Sequence, residues 1–198
     1  MDADRRSILS VVDTEMHATR REIMRFAGLT GVGAMLLGLG VQIREARAQG
    51  YGDAAAGDLK ILNVALGLEH EAISAYQAGA ESGLLQKQVL DVAVLCQSQH
   101  KQHRDALMAT IKKAGGTPVE PRKAAEYGWP QLGSQKDVLV FAARLEAGAA
   151  SAYLGALKAI QNKEYLTAAA SIMGNETQHL SLLRQALGEN PVPSSFVS

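Results

Sequence analysis

Cysteine occurs once, at Cys96, so no disulfide within the chain can staple a fold, and a core or a metal must hold it. That residue sits in an apolar helical stretch and reads as a small core side chain. Excess charge is also missing: 20 basic residues balance 20 acidic ones, which leaves no global field to draw in nucleic acid or an anionic membrane. Aromatic residues make up only 5% of the chain. No alternating β-branched run of strand length is present, and Ala, Leu, Gln and Glu dominate beyond residue 58, which favours helices. A Cys-x-x-Cys pair is absent, so electron transfer through a rubredoxin-type site has no residues to use.

The N-terminal apolar stretch also lacks the length for a comfortable membrane span. The apolar stretch 26–41 is 16 residues long and holds five glycines, short of the about 20 residues a bilayer span needs. Its surroundings point to export instead. Arg20 and Arg21 precede it, and Ala46-Arg47-Ala48 follows it as a small-x-small cleavage site. The paired arginines resemble a twin-arginine signal, with Ile23, Met24 and Arg25 completing the motif. Residues 1–48 are therefore expected to be a signal peptide handled by the twin-arginine export machinery, which delivers a periplasmic or otherwise exported protein. Residues 49–57 would be a linker, 58–187 the folded domain and 188–198 a tail, with no membrane span in the mature form.

Four apolar-periodic segments are expected as helices: 58–82 with Asp58 as N-cap, 86–114, 135–161 and 163–187. The turns near Ser82-Gly83 and Asn162 are short, so the segments pair as two antiparallel hairpins. Between the hairpins, residues 115–134 hold three of the five prolines and are too long for an ordinary helix connection. The expectation is an all-α four-helix bundle with one long crossover, in which helix three starts at the same end as helix one. Tyr127 and Trp129 would pin that crossover onto the bundle.

The two hairpins echo each other. "LEHEAISAY" at 68–76 returns as "LEAGAASAY" at 145–153, which matches Glu69 with Glu146 and Tyr76 with Tyr153. Laying "CQSQH" at 96–100 on "NETQH" at 175–179 matches Gln97 with Glu176 and His100 with His179. A Glu and a His three residues apart share a helix face about 5–6 Å apart and can ligate one metal. A Glu from each neighbouring helix can then bridge or cap a pair of ions, as in carboxylate-bridged dimetal bundles.

With these residues the chain resembles the ferritin-like superfamily in its exported bacterial form, over about residues 58–187. The resemblance implies an iron or manganese centre of one or two ions with Glu69, His100, Glu146, Glu176 and His179 as ligands. Tyr76 and Tyr153 would lie beside it. Gln97 stands where the family places a glutamate, and an amide is a poor ligand for a hard dication, which puts the second ion in doubt. His103, one turn beyond His100, shares its face and could compensate. His70 and Glu71 are rotated away from Glu69 and expected to face solvent. The implied chemistry is Fe(II) oxidation or peroxide disposal. The alternative is a non-enzymatic envelope or stress protein with a degenerate, metal-free bundle. The sequence leaves open assembly into a homo-oligomer.

Overall fold

The computed structural model describes residues 54–197, so the expected signal peptide lies outside the described residues. Four helices form the domain: α1 (Ala54–Glu81), α2 (Lys87–Lys113), α3 (Gln135–Leu157) and α4 (Lys163–Ala186). A 3-10 turn, Ala124–Tyr127, lies within the crossover. No strand occurs among the described residues.

Glycines at positive φ close several helix ends. Gly83 (72°) leads out of α1, Gly115 (79°) follows α2 and Gly188 (75°) follows α4. The second hairpin is capped by side chains: Ser134 Oγ accepts the Asp137 N–H, and Asn162 accepts the N–H groups of Glu164 and Tyr165. α2 has no such cap at Gln86.

The expected direction of helix three is wrong. Tyr153 of α3 bonds Glu69 of α1, and Tyr76 of α1 bonds Glu146 of α3, so the two helices run antiparallel. α3 therefore starts at the end where α1 finishes, and the Gln86 N–H in the first hairpin turn donates to Gln135 at the start of α3 (2.7 Å). A short loop would have returned the chain to the end where α1 starts. The long crossover exists to climb the full length of the bundle.

Asp58 is also corrected. α1 begins at Ala54, so Asp58 sits one turn inside the helix, buried. Its carboxylate accepts the Gln161 and Asn162 N–H groups (2.9 and 2.8 Å), satisfying the turn of the opposite hairpin.

The crossover lies along α1. Asn63 binds Thr117 and Val119 of it, and His70 Nε2 lies 3.2 Å from the Val119 carbonyl. Trp129 donates to Glu71 (3.2 Å), stacks on buried Tyr127 with ring centroids 5.0 Å apart, and meets Phe141 of α3 edge-on. Tyr127 and Trp129 thus pin the loop as expected. For the same reason His70 and Glu71, expected in solvent, are buried. Helical rotation does turn them away from Glu69, but towards the strap rather than towards water.

Apolar residues fill both ends of the bundle. Ile61, Leu66, Ile111 and Ile172 pack at one end, and Ala93, Cys96, Leu139 and Leu183 at the other. Among the described residues α3 alone is long and apolar enough to cross a membrane, but half of that stretch is buried against its neighbours as a core helix. Between the two apolar ends lies a polar layer.

Candidate metal centre

Each of the four helices sends at least one ionisable side chain into this layer. Glu69 comes from α1, His100 and His103 from α2, Glu146 from α3, and Glu176 and His179 from α4. Five of the six are fully buried, and only His103, 13% exposed, reaches an edge. Burying so many ionisable groups is costly unless they are paired or bind an ion.

These side chains form two sets of four that share two members. One set is Glu69, His100, His103 and Glu176; the other is His100, Glu146, Glu176 and His179. Within the first, Glu69 Oε2 lies 2.8 Å from His100 Nδ1 and 3.4 Å from His103 Nδ1, while Glu176 Oε1 lies 3.1 Å from His103 Nδ1. Within the second, Glu146 Oε1 lies 3.2 Å from His100 Nε2, and Glu146 Oε2 lies 3.4 Å from His179 Nδ1. Glu176 Oε2 is 4.0 Å from that same His179 nitrogen. Two ligands bound to one ion at about 2.1 Å, at right or tetrahedral angles, stand about 3.0–3.4 Å apart. The measured separations cluster around that range.

Several groups hold the cluster from outside. Tyr153 donates to Glu69 Oε1 (2.6 Å), which leaves Oε2 to the first set. Tyr76 donates to Glu146 Oε1. The Gln99 carboxamide oxygen lies 2.6 Å from His179 Nε2 and also accepts from Asn175. That nitrogen is therefore the protonated one, and Nδ1 is left bare towards the carboxylates. Sequence reasoning missed Gln99, although its place one residue before His100, on the side facing α4, was open to inspection.

Burial pushes every carboxylate here towards its neutral form. At Glu69 the hydrogen bond from His100 and the charges of His100 and His103 outweigh burial and hold the group below its usual range. His100 does the same, more strongly, for Glu146. Glu176 has burial and the charges of Glu146 and Glu69 against it, and is raised well above the usual range. Burial lowers His100, but its bonds to Glu146 and Glu69 more than reverse this and raise it to about 11. Burial, together with nearby glutamates, keeps Tyr76 and Tyr153 protonated as donors.

All five residues expected as ligands thus stand in one cluster, and His103 joins them. Gln97 does not. Its amide donates to the Ile73 carbonyl (3.0 Å) and to Gln77 (2.8 Å), and its oxygen accepts from Lys101 (2.9 Å). The residue that stands opposite Glu176 is His100, one turn further along α2. The sequence overlay was out of register by that turn: "HKQH" at 100–103, not "QSQH" at 97–100, faces "ETQH" at 176–179. Both stretches of α2 end in Gln-His, as "ETQH" does, so that ending could not choose between the two registers. A histidine, not Gln97, replaces the fourth carboxylate.

Comparison with known proteins agrees with this architecture. The family model for the ferritin-like domain matches residues 57–189. No curated protein matches the chain. Among solved structures, a conserved hypothetical protein of Mycobacterium tuberculosis, Rv2844, superposes with a TM-score of 0.61 at 21% identity, covering 74% of this chain and 99% of that one. A dodecameric thioferritin, the bacterioferritin-related protein of Bacteroides fragilis, gives 0.60 at 21% identity, with 68% and 86% covered. A ferritin-like diiron-carboxylate protein of Bacillus anthracis gives 0.59 at 23% identity, with 70% and 99% covered. At these identities the likeness is one of fold.

Proposed function

The chain belongs to the ferritin-like domain family, and from that premise we propose that it holds a pair of iron or manganese ions between its four helices for Fe(II) oxidation or peroxide disposal. One observation carries this reading. Five buried atoms that are ordinary metal ligands have no hydrogen-bond partner: His103 Nδ1, Glu146 Oε2, both oxygens of Glu176, and His179 Nδ1. Orphaned buried polar atoms are rare, and each costs about 1–3 kcal/mol. Five converging on one layer fit a site built for cations.

Glu69 and His103 would hold one ion, Glu146 and His179 the other, with Glu176 presenting one oxygen to each. Bound iron or manganese supplies the one-electron chemistry that oxygen or peroxide requires. The chain's own contribution is positional. Tyr153 and Tyr76 fix the outer oxygens of Glu69 and Glu146, Gln99 fixes the ring of His179, and the apolar ends keep bulk water out. His103, at the exposed edge, marks the side from which an ion or small oxidant enters. Protein purified without chelator and loaded with Fe(II) or Mn(II) tests the reading. Two ions per chain and Fe(II) oxidation above a protein-free control are expected; no bound metal after loading overturns it.

A second reading rests on a different observation. His100 already bonds Glu69 at 2.8 Å and Glu146 at 3.2 Å, a partly self-satisfied ionic cluster that suits a metal-free envelope or stress protein. Unchanged thermal stability on adding Fe(II) or Mn(II) would favour it.

Export belongs to the same proposal. Replacing Arg20 and Arg21 by Lys should retain the protein in the cytoplasm, and undiminished export would refute the twin-arginine assignment. Self-association follows too, by analogy with the dodecameric thioferritin. Light scattering of the metal-loaded protein reads it directly, and a monomer at all concentrations would end that part.

A further inference from the structure

We propose that the apolar cavity beside Tyr153 is a docking site for dioxygen, one side chain away from the polar layer; its service to that layer rests on reading the layer as a metal centre. The cavity lies among the four helices, at the end of the bundle where Ile61, Leu107 and Ile172 pack. It measures about 40 Å³, against the roughly 10–15 Å³ that a single water needs. Ala106 of α2 and Ala168 of α4, both exposed, stand at its outer side, and the buried Tyr153 ring closes its inner side. The hydroxyl of that same ring donates to Glu69 Oε1 (2.6 Å). One tyrosine therefore separates the cavity from a carboxylate of the layer.

The lining decides what the cavity prefers. Alanine, leucine and isoleucine side chains make up its wall apart from Thr110, Tyr153 and Tyr165. Two of the three hydroxyl protons are already spent, that of Tyr153 on Glu69 and that of Thr110 on the Ala106 carbonyl (2.8 Å). An enclosed water needs about two to four polar partners, so this space favours a small apolar molecule over water. Dioxygen is small and apolar. Peroxide and Fe(II) are neither apolar nor served by such a wall, and the half-buried edge at His103 offers them a polar way in. A second apolar cavity lies at the other end of the bundle, beside Tyr76, but at about 20 Å³ it has little more room than one water takes. Size therefore assigns the docking role to the Tyr153 side.

The test is nuclear magnetic resonance of the metal-free full chain, with labelled methyl groups, under dioxygen pressure and under dinitrogen as control. Paramagnetic dioxygen should speed relaxation of the Ile61 and Ile172 methyls several-fold more than that of the exposed Val94 and Leu95 methyls. Ala169→Leu, which puts a larger side chain into the cavity, should remove that excess. If this variant does not fold, as judged by circular dichroism, Ala168→Leu at the exposed outer side takes its place. In Fe(II)-loaded protein the same substitution should raise the dioxygen concentration for half-maximal oxidation several-fold, and should slow oxidation by dioxygen relative to oxidation by peroxide. Relaxation no greater at Ile61 and Ile172 than at the exposed methyls overturns the docking site. Oxidation by dioxygen that keeps its concentration dependence once the cavity is filled overturns its service to the layer. A wild type that shows the excess relaxation but binds no Fe(II) refutes the metal centre and leaves the cavity's affinity for dioxygen standing.

Discussion

The two hairpins do similar jobs with unequal means. At positions 77 residues apart, Glu69 and Glu146 face the polar layer, and Tyr76 and Tyr153 each reach the glutamate of the other hairpin. Asp58 and Gln135, also 77 apart, each bond the turn of the opposite hairpin. The differences are three. α2 contributes His100 where α4 contributes Glu176. Buried Asp58 accepts two N–H groups where half-buried Gln135 accepts one. And the crossover covers α1 at His70 and Glu71, while of their counterparts on α3 Ala147 is exposed and Gly148 half-buried. The lesson is that equal positions on a framework do not make equal residues. Neighbours and partners set what each one does.

The comparison can be broken first at the shared residue. Glu176→Ala should abolish binding of both ions, because it removes an oxygen from each set, whereas Glu69→Ala should spare the ion held by Glu146 and His179. Metal content after Mn(II) loading reads this, and equal loss in both variants would show that the two sets are not separable. Next in size is the turn bond. Asp58→Ala should cost about 3 kcal/mol, two hydrogen bonds to a charged acceptor, against about 0.5 kcal/mol for Gln135→Ala. Denaturant unfolding of the two variants gives the difference, and equal values would mean that burial of Asp58 adds nothing.

Capping is a smaller asymmetry. Ser134→Ala should cost about 1 kcal/mol at neutral pH, and a cap installed at bare position 86 by Gln86→Asp should gain somewhat less. The bond from Ser134 and the Gly133 N–H hold Asp137 below its ordinary 3.8. A lowered carboxyl stabilises above that value and loses its contribution as pH falls, so the gap between wild type and Ser134→Ala should narrow in strong acid to what the Ser134 Oγ bond to the Asp137 N–H alone supplies. The smallest effect sharpens the register of the two halves. Gln97→Glu should leave metal content unchanged, since its side chain is engaged by Ile73, Gln77 and Lys101, one turn from the layer. A rise in bound metal would mean that α2 can present residue 97 to the ions after all.

Much of this was legible in the chain. The spacing of apolar residues marks four helices to within a few residues, the prolines mark the crossover, and Glu69, Glu146, Glu176, His100 and His179 can be picked out because ionisable groups on apolar faces need a reason. The match of "QSQH" with "ETQH" was misleading. Sequence similarity over four residues cannot fix which turn of one helix stands opposite which turn of another, and a slip of one turn leaves the same face pointing inward. His70 and Glu71 were misjudged because helical rotation says which way a side chain points but not what loop will lie there.

Sequence by itself determined the helices, their pairing into hairpins, and the residue types available to hold a cation. These follow from periodicity and turn chemistry, which are local. The direction of α3, the burial of Asp58 under the far turn, and the choice of His100 over Gln97 were decided only by the tertiary structure. Each depends on how far one helix slides along another, and that is settled by packing summed over the whole bundle rather than by any one stretch of chain.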